Sequence, residues 1–164
     1  MKKAILSAFA ACSLGWGITL GGFELSPEVG AGVQKVKTNG ESHYDWSAFA
    51  RLWVGVSNFV VAPQFKYMSI DNGTIESKNT QVGVSAGYRL DLVVLSATPY
   101  VGANYSHFDK FYDDTLACNA GVRVSPAILP VSVGVEYEFQ KPNDKFFGRR
   151  QKMESVRFSL GVSF

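Results

Sequence analysis

The residues of this chain that could do chemistry are mostly charged, and they recur at even spacing. Glu24, Glu28, Asp45, Asp91, Glu136 and Glu138 share a parity face with Arg51, Lys66, Arg89, Arg123 and Arg157. Six acids against five bases is close to the balance that a water-poor ion-pair network demands. Counting along each segment puts Glu28, Arg51, Lys66 and Glu136 near mid-length. Such a set can act as a structural plug or as a narrow path for protons and small ions. Metal chemistry has little to draw on, because the only histidines, His43 and His107, stand 64 residues apart. Cys12 and Cys118 supply no multi-cysteine cluster, and no cofactor motif is present. A second group of charges lies in Lys141–Met153, where Lys141, Lys145, Arg149, Arg150 and Lys152 face Asp144 alone around Phe146-Phe147. A third segment, Asp109-Lys110-Phe111-Tyr112-Asp113-Asp114, is acidic and aromatic.

These groups are placed by a pattern of period two. In Phe23–Gln34 the odd positions are apolar and the even ones acidic, small or amide, which is a β-strand with two distinct faces. The same alternation runs through Tyr44–Ser57, Phe59–Ile70, Thr80–Asp91, Ala97–Phe108, Thr115–Ser125, Pro130–Gln140 and Glu154–Phe164. Eight strands of about 11 to 14 residues are long for a soluble sheet and right for tilted membrane strands. The connections Thr38–His43, Asn72–Asn79, Asp109–Asp114 and Lys141–Met153 are polar, whereas Ser57-Asn58 and Pro126–Leu129 are tight. Leu92–Ser96 is apolar and does not read as a turn; the fifth strand could begin inside it. Pro27, Pro63 and Pro99 are spaced 36 residues apart, with Pro130 following, so the repeating unit is an antiparallel hairpin. Each proline is expected near a strand start, where a missing ladder donor costs least.

Composition and the N-terminus narrow the class. With 46% hydrophobic and 13% aromatic residues in 164, the chain is neither disordered nor rich in apolar runs long enough for helical spans. Met1-Lys2-Lys3, an apolar run and small residues through Gly21 have the layout of a secretory signal peptide, cleaved between residues 15 and 21. The remaining 22–164 form one barrel domain. Without Lys2 and Lys3 the count is 14 basic against 14 acidic residues, which gives nucleic acid no foothold.

Alternation alone leaves the two faces interchangeable. Three features point the polar face inward. It is crowded with small residues, among them Gly30, Gly83, Gly121 and Gly161, as a narrow barrel interior requires. The apolar face of the first strand carries charge only at its loop edge, Lys35 and Lys37, where lysines can snorkel. Its aromatics, including Phe23, Tyr44, Trp46, Phe59, Tyr67, Tyr88, Tyr105, Tyr137, Phe139, Phe158 and Phe164, gather toward strand ends like interfacial girdles.

The final strand, Val156-Arg157-Phe158-Ser159-Leu160-Gly161-Val162-Ser163-Phe164, and the opening Pro-Tyr-Val-Gly-Ala at 99–103 then carry a resemblance. The chain resembles the small eight-stranded outer-membrane barrels, a group that includes the OmpA transmembrane domain, OmpX and the neisserial Opa and NspA proteins. The resemblance covers residues 22–164. It implies an all-β, up-and-down transmembrane barrel in a Gram-negative outer membrane, with Phe158, Leu160, Val162 and Phe164 read by the barrel assembly machinery. It also implies lipopolysaccharide as the nearest anion to Lys141, Lys145, Arg149, Arg150 and Lys152, and a host or surface ligand for the loops. Some such barrels modify lipid A, which needs a base at the rim. His107 is the candidate, with Tyr105 and Asp109 on its face and Ser106 on the other; Ser42-His43 is no better placed. A non-enzymatic protein without an open pore is therefore expected, with a lipid A-modifying enzyme, a small gated porin and a soluble ligand-binding barrel as rivals.

Overall fold

A computed structural model describes residues 18–20, 23–38, 41–71, 76–110, 112–145 and 148–163. Its frame is eight long strands: β1 Phe23–Thr38, β2 Glu41–Val56, β3 Phe59–Asp71, β4 Glu76–Tyr88, β5 Leu95–Phe108, β6 Thr115–Pro126, β7 Val131–Gln140 and β8 Met153–Ser163. Each pairs antiparallel with its neighbours in sequence. β8 closes on β1 from Met153↔Thr38 to Ser163↔Glu28. The result is a closed eight-stranded meander, which leaves no sheet edge open. Two short pieces lie beside it: Ile18–Leu20 pairs with Phe23–Leu25, and Leu90–Asp91 pairs with Ser96–Ala97. Apart from Ile18–Leu20, the expected signal peptide lies outside the described residues.

Several boundaries differ from the sequence reading. The polar stretch Thr38–His43 is mostly strand, because Thr38↔Glu41, Lys37↔Ser42 and Val36↔His43 all pair. Likewise β4 begins at Glu76, opposite Asp71, and not at Thr80. Polar side chains do not end a strand whose backbone still has a ladder partner. The apolar Leu92–Ser96 does contain a turn, closed by the Leu92 N–H on the Leu95 carbonyl at 2.8 Å, with Val93 and Val94 exposed. Pairing on both sides, and not turn chemistry, forces that reversal.

Pro27, Pro63 and Pro99 sit deeper than expected, each at the fifth residue of its strand, whereas Pro130 lies immediately before β7, as expected. Pro27 lies one step past the last β1–β8 pair of the described residues, and Pro99 one step past the last β4–β5 pair, Gly87↔Tyr100. Pro63 falls in a gap of the β2–β3 ladder between Arg51↔Gln64 and Val54↔Val61. A residue without an N–H is tolerated where a ladder is broken or has ended.

Burial orients the wall. Lys66 is 0% exposed, whereas Leu160 is 61% and Val82 59% exposed. Among the described girdle residues Phe158 is an exception, lying mid-wall opposite Val33 and Val135, while Phe164 lies outside the described residues. The inward small residues give room to large side chains of the neighbouring strand. A β-carbon on Gly30 would fall 2.5 Å from Phe49 Cζ. At the loop end, inward Val36, Phe108 and Met153 meet Tyr112 in an apolar cap over the lumen.

Candidate functional site

The lumen charges form one large cluster, one smaller one and an end pair. In the large cluster Glu136 accepts from Arg51 Nη2 at 2.7 Å, Lys66 Nζ at 2.6 Å and Arg157 Nη1 at 3.0 Å. Tyr100 OH and Asn119 Nδ2 add 2.9 and 3.2 Å bonds to the same carboxylate. Lys66 also reaches Glu138 at 3.1 Å, and Gln81 Nε2 donates to Glu138 at 2.7 Å. Nearer the turn end, Glu28 takes Arg123 Nε at 3.2 Å, Trp53 Nε1 at 2.6 Å and the Ser132 hydroxyl. Glu24 pairs with Arg89 at the mouth, in a polar vestibule that Asp91 also lines. Asp45 is buried across the ladder from Gln34.

Strand parity thus delivers every predicted inward charge to the lumen or its mouth. It does not gather them into one network: Glu28 belongs with Arg123 and Trp53, one cluster away from Glu136. Counting charges overlooked the neutral donors Trp53, Tyr100, Gln81, Asn119 and Ser132. Each stands on the inward parity face, and that was the available signal. Five donors, three of them cationic, thus converge on one buried carboxylate.

The rim has a different chemistry. Lys145, Arg149 and Arg150 are exposed on the β7–β8 loop, while Phe146 and Phe147 lie outside the described residues. Lys141 and Lys152 instead flank Phe139 at the wall, with their ammonium groups 5.2 and 5.7 Å from its ring centre. The β7–β8 loop is pinned to its neighbour: Tyr112 bridges Asp144, and the Asp113 N–H donates to the Asn143 carbonyl at 2.8 Å. Beside it, on the β5–β6 loop, Asp114 receives His107 Nδ1 and Tyr105 OH, each at 2.8 Å. Those two hydrogen bonds, from His107 first and Tyr105 second, hold the Asp114 carboxyl below the usual carboxylate range. Asp109, read from sequence as His107's neighbour, turns to the Lys78 N–H at 2.8 Å and the Ser77 hydroxyl at 3.1 Å. Burial raises its pKa, but these bonds outweigh that and leave it lowered.

No family model and no curated relative matches the sequence. Solved structures do. The neisserial surface protein NspA superposes with a TM-score of 0.62 at 15% identity, over 85% of this chain and 97% of that one. This chain has the fold of the small outer-membrane barrels. Ail, the attachment invasion locus protein of Yersinia pestis, solved with the heparin analogue sucrose octasulfate, gives 0.53 at 17% identity, over 87% of this chain and 99% of that one. The backbone structure of Ail in a phospholipid bilayer nanodisc gives 0.51 at 16% identity, over 86% of this chain and 100% of that one. The barrel described above therefore matches these proteins over nearly their whole length.

Proposed function

We propose that the chain is an integral outer-membrane protein of non-enzymatic type, secreted with a cleaved signal peptide, whose closed barrel presents its loops at the cell surface. The observation that carries this reading is a lumen filled by ion-paired side chains beneath an apolar wall. A soluble barrel would hold those charges outward. An open pore would need Glu136 to release three cations at once, and breaking one such buried pair costs about 3–5 kcal/mol. The exposed, alternating Phe158, Leu160 and Val162 of β8, with Phe164, fit recognition by the barrel assembly machinery. The basic residues on and beside the β7–β8 loop, Lys141, Lys145, Arg149, Arg150 and Lys152, are the candidates for lipopolysaccharide, and the acidic β5–β6 loop for a protein ligand.

Gel mobility of membrane-extracted protein, boiled against unboiled, tests the barrel. The folded form should migrate apart from the boiled one and fractionate with outer membranes; a soluble periplasmic protein without a shift would sink the reading. In planar bilayers the protein should give no steady conductance. The His107–Asp114 pair favours one second reading, hydrolysis of a lipid ester at the rim, since the imidazole is held by a carboxylate and 62% exposed. Lipid A mass spectra with wild type and His107→Ala separate it: a difference between them supports the enzyme.

A further inference from the structure

The outward side chains of β7, β8, β1 and β2 fall into rows that the strand register fixes. The row nearest the loops is Phe139, Glu154, Lys37 and Ser42. Below it come Tyr137, Val156, Lys35 and Tyr44, and below these Val135, Phe158, Val33 and Trp46. One sector of wall therefore grades from charged, through amphipathic, to wholly apolar within two steps. Lys141 and Lys152 join the top row beside Phe139. A cleft of about 400 Å³ opens there, lined by Lys35, Lys37, Ser42, Tyr137, Glu154, Ser155 and Val156.

The charge is lopsided. Four lysines surround one carboxylate, Glu154, which is engaged by Lys152 at 2.9 Å and by Tyr137 OH at 2.7 Å. The β5–β6 side of the same rim carries Asp109, Asp113 and Asp114 with Lys78 and Lys110. An anion at the membrane surface is thus drawn to the lysine sector. Neighbouring strands are about 4.8 Å apart, so the lysines from β7 to β1 span roughly 10 Å, wider than one phosphate needs.

We propose that this sector is a binding site for a phosphorylated glycolipid of the outer leaflet, with two phosphates on Lys35, Lys37, Lys141 and Lys152. Tyr137 and Tyr44 lie at sugar level, and the acyl chains run down Val156, Val33 and Phe158. The inference rests on the outer-membrane reading, and it moves the anion site from the loop tip to the wall. Lysines at a headgroup boundary keep their stems on apolar surface and their ammonium groups at the phosphates.

Native mass spectrometry of the full chain in detergent, titrated with bisphosphorylated lipid A, tests it. Lys35→Gln with Lys37→Gln, and separately Lys141→Gln with Lys152→Gln, should each weaken binding about tenfold. The loop variant Lys145→Gln, Arg149→Gln, Arg150→Gln should bind as wild type. Dephosphorylated lipid A should bind as weakly to wild type as lipid A does to the wall variants. Equal loss in the loop variant, wild-type binding by both wall variants, or equal binding of phosphatidylglycerol would overturn the proposal. The boiled and unboiled mobility of each variant reports folding, so failure of the barrel reading stays distinct from failure of the site.

Discussion

Lysine does opposite work in two parts of this barrel. Lys66 is sealed in the lumen between Glu136 and Glu138, and removing any member of that set strands the others in a place without water. Lys35 and Lys37 stand on the outer rim, where solvent and headgroups screen them and their loss leaves nothing unpaired. The first kind of charge governs whether the barrel holds together, and the second what it touches. The alternation of strand faces separates the two roles within a few ångströms of wall.

Glu136→Ala should break the comparison most severely. It leaves Arg51, Lys66 and Arg157 without their shared carboxylate, and should cost about 3–5 kcal/mol of stability in urea unfolding from detergent or lipid. A loss below 1 kcal/mol would mean that water reaches the cluster. Trp53→Phe keeps the ring but removes the 2.6 Å donor to Glu28, for an expected cost of about 1–3 kcal/mol in the same assay. Lys35→Gln with Lys37→Gln should shift stability by no more than about 0.5 kcal/mol, in contrast to its effect on lipid binding. The smallest effect is at Asp114. Its lowered pKa makes its contribution complete above the ordinary carboxylate range and lost as pH falls through the lowered value. Acidification should therefore release Tyr105 and His107, seen as shifts in their NMR resonances on the acid side, and Asp114→Asn should remove that step.

How much could be read in advance follows the same division. Period-two alternation exposed the eight strands and their two faces, because parity is local, and the small residues, edge lysines and terminal aromatics then turned the charged face inward. It was silent on strand ends: Thr38–His43 has loop chemistry but a paired backbone. It was equally silent on partners that arrive from elsewhere. Asp109 shares the face of His107 by counting, yet Asp114 reaches the imidazole because the chain turns between them. The apolar cap was missed for a related reason. Val36 and Phe108 occupy inward positions on strands whose interior reads as polar, Met153 belongs by sequence to the loop before the last strand, and only closure brings Tyr112 onto them.

The prolines bear on how such a barrel finds its register. Before closure β1 and β8 are both open edges, free to pair with each other in several alignments or with another chain. The last described pair of the seam is Ser163↔Glu28, and the next residue on β1 is Pro27. A zipper running toward the turn end comes, after Ser163↔Glu28, to a link that has no donor to offer. Slippage by two residues would keep the apolar face outward but carry the seam onto that missing link. Pro27 is thus a mechanical stop, built into the edge that must be joined last.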